Sequence, residues 1–223
     1  MSIVENIEKL IRELPENVKL VAVSKTKPAE QILEAYQSGH KIFAENKVQE
    51  LVSKFEVLPK DIEWHMVGHL QTNKVKYIAP FVSLIHAVDS LKLLKTIDKE
   101  ALKNNRVISC LLQVKIAREQ SKFGLNVFEL EYILGSEDFK NFNNIQILGL
   151  MGMASYTNDT GIVRDEFKKL VSIFKSIRQS YFLDKPYFKE LSMGMSTDYK
   201  IAVEEGSTMI RIGSLIFGER VYL

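Results

Sequence analysis

The chain has 223 residues, 46% of them hydrophobic and 26% charged, which is enough apolar material for a sizeable core and too much for a disordered chain. Thirty basic against twenty-eight acidic residues leave a formal charge of +2, so nothing global favours nucleic acid or an anionic membrane, and any anion must be held locally. No apolar run approaches membrane-spanning length, and the single cysteine, Cys110 in "VISCLLQV", excludes an intrachain disulfide and reads as a buried, inert thiol in a cytoplasmic protein.

From the N-terminus, "MSIVENIEKLIREL" sets Ile3, Ile7, Leu10, Ile11 and Leu14 at helical spacing among charges, which predicts an amphipathic helix and not a signal sequence. Strand "KLVAVS" comes next, followed by a helix from Pro28 to about Ser38, with Pro28 suited to a first turn and Gly39 to a stop. Further strand-like runs are "KIFAE", "IEWHMVG", "FVSLIHAV", "RVISCLLQV", "IQILGLMGM", "KELSMGM" and "TMIRIG", making eight in all, with helical segments between them. Ser90 is placed to cap a helix carrying Leu91, Leu94 and Ile97, Asn126 and Glu129 form a capping box, and Phe167, Leu170, Val171, Phe174 and Ile177 mark one face of a long helix.

Strands apolar on both faces that alternate with helices indicate a parallel sheet. With no Pro/Gly-rich linker or shift in composition, the expected fold is a single α/β domain over residues 1–223, a TIM-like (β/α)8 barrel with an extra N-terminal helix. An open doubly wound sheet is the alternative.

A barrel carries its functional groups at the C-terminal ends of its strands, and reactive or glycine-rich residues collect there: Ser24 and Lys25, Glu45 and Asn46, Gly68 and His69, Met195 and Ser196, Gly213 and Ser214. Loops after strands seven and eight commonly bind phosphate, which makes "GMS" and "RIGS" candidates for a cradle. Lys25 opposite such a cradle suggests a phosphorylated carbonyl compound held as a Schiff base, because a lysine shielded by apolar walls and neighbouring cations loses its proton more readily and attacks aldehydes. Period-two alternation puts Lys25 on the face of Val21 and Val23, while Lys27 is expected to face solvent. The bland reading of Lys25 is a solvated charge at a strand end.

In order along the chain, "AVSKTKP", "ENKVQE", "WHMVGHLQTNK", "SKFGL", "GLMGM", "LSMGMSTD" and "GSTMIRIGSLIFGER" resemble the pyridoxal phosphate homeostasis protein family, also called YggS/PROSC. That family is similar to the N-terminal barrel of alanine racemase, and the resemblance implies bound pyridoxal 5'-phosphate (PLP). It further implies Lys25 at the Schiff-base position, Arg211 facing the pyridine nitrogen, Ser196, Gly213 and Ser214 around the phosphate, and Asn46 near the ring. The chain departs from the family in Ala44, where glycine is usual, and in Lys47, where an aromatic is usual. His69 falls at a variable position and is assigned no role.

Arginine stays protonated and accepts no hydrogen bond, so a pyridine nitrogen facing Arg211 stays unprotonated and serves poorly as an electron sink. Read from the residues alone, Arg211 is a surface ion pair with Glu219 or Glu204. His65 and His69 lack the setting of a zinc pair, no metal is expected, and His40 and His86 stand alone. Met151, Met153, Met193 and Met195 are expected to pack the barrel mouth, and Lys74 and Lys76 to form a solvated face.

The function expected is intracellular PLP storage and delivery by a monomer that hands cofactor to PLP-dependent apoenzymes, without strong catalysis. The alternatives are a PLP-dependent amino-acid racemase and a Schiff-base aldolase. Racemisation needs an acid or base on each face of the substrate carbon, and only nine residues follow Ser214 to supply the second one.

Overall fold

In the computed structural model, residues 2–118 and 123–219 are described. Helix α1 (Ile3–Glu13) starts at a capping box in which Ser2 Oγ accepts from the Glu5 N–H at 3.2 Å and the Glu5 carboxylate accepts from the Ser2 N–H at 2.8 Å. It buries Ile7 and Leu10, and Asn6 Nδ2 donates to the Ile216 carbonyl at 3.0 Å, which ties the helix to the far end of the chain.

The strands are β1 (Lys19–Val23), β2 (Ile42–Glu45), β3 (Glu63–Met66), β4 (Leu84–Val88), β5 (Ile108–Val114), β6 (Ile145–Gly152), β7 (Glu190–Met195) and β8 (Met209–Ile212). Each pairs in parallel with the next and β8 closes onto β1, so the sheet is a barrel and not the open doubly wound alternative. The connecting helices are α2 (Ala29–Gln37), α3 (Val48–Val57), α4 (Val75–Ile78), α5 (Leu91–Lys103), α6 (Val127–Gly135), α7 (Glu137–Lys140), α8 (Thr160–Tyr181), α9 (Tyr199–Glu204) and α10 (Ser214–Phe217). The caps expected at Ser90 and Asn126 are both made, the latter as a complete box with Glu129.

Some boundaries move for local reasons. Pro28 takes the cap position before α2, in extended backbone, instead of the first helical turn. The run "FVSLIHAV" enters the sheet only at Leu84, because the Phe81 and Val82 N–H groups still donate to the Ile78 carbonyl and close the turn after α4.

Period-two alternation splits the apolar residues between two compartments. Ala22, Phe43, Trp64, Ile85, Leu112, Leu150, Leu191 and Ile210 pack outward under the helices, while Val21, Val23, Ala44, Leu84, Leu111, Met151 and Met209 face the barrel interior. The four methionines therefore do not act as one set: Met151 packs inside, Met193 packs outward, and Met153 and Met195 line the mouth. Cys110 lies in the outer core, where burial pushes its thiol well above the usual range. Among the described residues, no helix is long and apolar enough to cross a membrane.

Candidate functional site

At the C-terminal ends of the strands the barrel opens into a cavity of about 470 Å³, and Lys25, Asn46, Ser196, Arg211, Gly213 and Ser214 all line it. The six come from four separate β–α junctions and from β8 itself, so only barrel closure brings them together.

The loop carrying Lys25 is tied on both sides. Ser24 Oγ donates to Glu45 Oε1 at 2.6 Å, and Lys54 Nζ on α3 donates both to that oxygen at 2.6 Å and to the Ser24 carbonyl at 2.8 Å. On the other side the Thr26 N–H donates to Glu50 Oε2 at 2.8 Å, which holds Thr26 in the left-handed region at φ 65°, a conformation that costs a β-branched residue energy. Lys27 is half-buried and not solvated as expected. Its ammonium donates to the Phe217 and Glu219 carbonyls at 2.8 and 3.3 Å, and its stem joins the cavity wall.

The loops after β7 and β8 meet directly: Ser196 Oγ accepts from the Gly213 N–H at 3.3 Å. Asp198 braces the first of them by accepting from the Met195 N–H at 2.6 Å. A Cβ on Gly213 would lie 3.1 Å from the Val23 carbonyl oxygen, so glycine lets the end of β8 pass close beside the end of β1. Gly68 serves Asn46 in the same way and more strictly, since a Cβ there would sit 2.3 Å from the Asn46 carbonyl oxygen. At the two departures noted above, Ala44 packs in the interior and Lys47 is exposed at the start of α3.

Arg211 makes no ion pair with Glu204 or Glu219; Glu204 pairs with Arg164 instead. Its neighbours Ile210 and Ile212 face the outer core, so alternation turns its side chain into the barrel, where it is buried. Nη1 donates to Ser192 Oγ at 2.6 Å and Nη2 to the Gly152 carbonyl at 3.0 Å. Burial lowers its pKa to about 10, against an opposing pull from Asp198, and the guanidinium stays cationic at neutral pH.

Sequence reasoning missed what lies beneath. His86 does not stand alone: its Nδ1 lies 3.0 Å from Ser192 Oγ and its Nε2 lies 3.1 Å from Nδ1 of His65. The signal was in the register, since Trp64 and Met66 flank His65, Leu191 and Met193 flank Ser192, and all four pack outward. His69, separated from His65, sits at the rim, stacked on Phe123 at 4.2 Å and 3.1 Å from Asp89 Oδ2. No group of three or more metal-ligating side chains exists among the described residues.

Burial, with a smaller contribution from Lys19, lowers the His65 pKa from 6.5 to about 3, and burial lowers His86 well below its ordinary value, reinforced by His65 and Arg211. Below about pH 6.5 the unfolded chain binds protons that the folded chain refuses, so this contribution to stability is complete above that pH and declines as pH falls toward about 3. Urea unfolding from about pH 7 to about pH 5 should show a loss of up to ~1.4 kcal/mol per pH unit for each histidine, reduced in His65→Gln. Equal pH dependence of wild type and His65→Gln would contradict a neutral, buried His65.

The family model for the alanine racemase N-terminal domain matches residues 1–221. The pyridoxal phosphate homeostasis protein of Aquifex aeolicus is 44% identical to this chain over 92% of it and 88% of the relative. The chain belongs to the pyridoxal phosphate homeostasis protein family. The homologue from Bos taurus is 37% identical over 95% of this chain and 81% of its own length. Among solved structures, PipY of Synechococcus elongatus with PLP bound superposes with a TM-score of 0.88 at 34% identity, covering 97% of this chain and all of PipY. Alanine racemase from E. faecalis shares the fold at a TM-score of 0.73 and 16% identity, with the chain spanning 58% of that enzyme.

Proposed function

We propose that this protein binds PLP in the cavity at the barrel mouth, with Lys25 bonding the cofactor aldehyde, and that it serves PLP storage and delivery in the cytoplasm as a monomeric, single-domain carrier spanning residues 1–223. The observation that carries the reading is the place of Arg211. It is a buried guanidinium without a carboxylate hydrogen-bond partner among the described residues, and it lines the same cavity as Lys25 and the Ser196–Gly213 junction. The residues present fit PLP in kind, with an amine for an aldehyde, a hydroxyl and a glycine-rich turn for a phosphate, and a fixed cation for a ring nitrogen. The family relatives named for PLP homeostasis and the PLP-bound PipY structure support the assignment.

Bound PLP supplies an electrophilic aldehyde and an electron-withdrawing ring. Ser196, Gly213 and Ser214 would hold the phosphate end, and Lys25 at the end of β1 would supply the amine for the aldehyde. Asn46, fixed by the close approach of Gly68, would stand beside the ring. Arg211 keeps its own protons and accepts none, so the nitrogen it faces stays unprotonated and stabilisation of a substrate carbanion is weak. The arrangement favours holding the cofactor over turning substrates over with it.

The test is a pair of assays on purified holoprotein. Racemisation and transamination of common amino acids should be negligible, while PLP appears in an added apoenzyme and restores its activity. Multiple-turnover racemisation that survives purification and disappears in Lys25→Ala promotes the enzyme alternative and refutes the carrier.

A further inference from the structure

The barrel interior beneath the cavity is usually filled by branched apolar side chains. Here four buried polar side chains from four strands, Arg211 on β8, Ser192 on β7, His86 on β4 and His65 on β3, form one unbroken hydrogen-bonded line. Its heavy-atom separations are 2.6, 3.0 and 3.1 Å.

Donor and acceptor counting gives this line a direction. Arginine has only donors, so Ser192 Oγ accepts from Arg211 Nη1. The single hydroxyl hydrogen of Ser192 then needs an acceptor, and His86 Nδ1 is the one within reach among the described residues. His86 must therefore carry its proton on Nε2, which donates to His65 Nδ1, and His65 in turn carries its proton on Nε2. Reversing any link would leave the Ser192 hydrogen buried without a partner, at the desolvation cost of an unmade hydrogen bond. The charged groups acting on the line are Arg211 beside His86, Lys19 on the side of His65, itself paired with the buried Glu190 at 2.5 Å, and Asp198 acting on Arg211. A positive histidine in this line would face other cations, so both rings stay neutral.

We infer that Ser192, His86 and His65 are positioning residues for Arg211, a tautomer-locked relay that fixes the guanidinium plane toward the cofactor cavity without a carboxylate. The inference rests on the reading of Arg211 as the residue facing the PLP ring. A carboxylate would satisfy the same donors but would cancel the charge that Arg211 presents. Neutral imidazoles supply acceptors and leave that charge intact.

The first measurement needs no variant and no cofactor. Two-bond nitrogen–proton NMR correlations of the apoprotein should show His65 and His86 as neutral Nε2–H tautomers. A Nδ1–H tautomer at His86, or a protonated His86 at neutral pH, overturns the inference. The second measurement uses Ser192→Ala, which removes the link between Arg211 and His86. The His86 nitrogen pattern should change, PLP should bind about tenfold more weakly or worse, as expected for one lost hydrogen bond to a buried charge, and its visible band should shift. Ser192→Thr, which keeps the hydroxyl, should restore all three. A Ser192→Ala protein with an unchanged His86 pattern and unchanged PLP affinity overturns the relay. A wild-type protein with both tautomers as assigned that takes up no PLP overturns the cofactor reading instead, and with it the purpose of the relay.

Discussion

Lys25→Ala is expected to lose both the visible band of bound PLP and the adduct that borohydride fixes, whereas Lys27→Ala keeps both. The two lysines lie two residues apart and both reach the cavity wall, so proximity does not choose between them. The backbone does. Lys25 lies two residues beyond Val23, the end of a strand whose Val21 and Val23 face the barrel interior, and its loop is clamped through Ser24 and Thr26 to side chains of β2 and α3. The Lys27 side chain turns instead toward the end of α10, where its ammonium donates to the Phe217 and Glu219 carbonyls. Peptide mapping after borohydride reduction decides the matter. An adduct on Lys27 would falsify the assignment of Lys25.

Lys54→Met should lower the free energy of unfolding by about 3–5 kcal/mol, because it strips a buried carboxylate of its cation. Glu45 is fully buried and Lys54 nearly so, at a separation of 2.6 Å. Burial raises the Glu45 pKa, opposed by the Lys54 charge and by hydrogen bonds from Lys54 and Ser24. Its Oε2 has no hydrogen-bond partner among the described residues, so Oε1 carries the whole arrangement. Without Lys54 the carboxylate must take up a proton, and the Ser24 carbonyl loses its donor as well. The double variant Lys54→Met/Glu45→Leu should recover most of the stability, since replacing both members of a buried pair by apolar groups is often neutral. The Lys25 loop would still lack its clamp, so PLP affinity should stay reduced in both proteins. Denaturant unfolding and PLP titration of the two variants check this, and a Lys54→Met protein as stable as wild type rules out the clamp.

Much of this architecture is local and therefore legible in the chain. Alternating apolar strands and capped helices record their own periodicity, so the existence and order of all eight strands and the caps at Ser90 and Asn126 could be read, while the strand ends shifted by a few residues. The residues at the strand ends could be listed as well, because the barrel rule states where functional groups gather once strands are located. Lys25, Asn46, Ser196, Gly213 and Ser214 needed no contact information to be named, and neither did the family, since its motifs are contiguous.

Sequence could not decide what a side chain meets across the barrel. Arg211 looks like a surface charge until the outward packing of Ile210 and Ile212 turns it inside, and its partners lie 19 and 59 residues away. Ser192 and His86 are 106 residues apart and each looks ordinary alone. Lys27 reads as a solvated charge because nothing near it in the chain predicts that the backbone at the end of α10 will return to accept from its ammonium. Periodicity fixes which face a residue takes, whereas hydrogen-bond partners depend on how eight strands close in register, and that is settled only when the whole barrel packs.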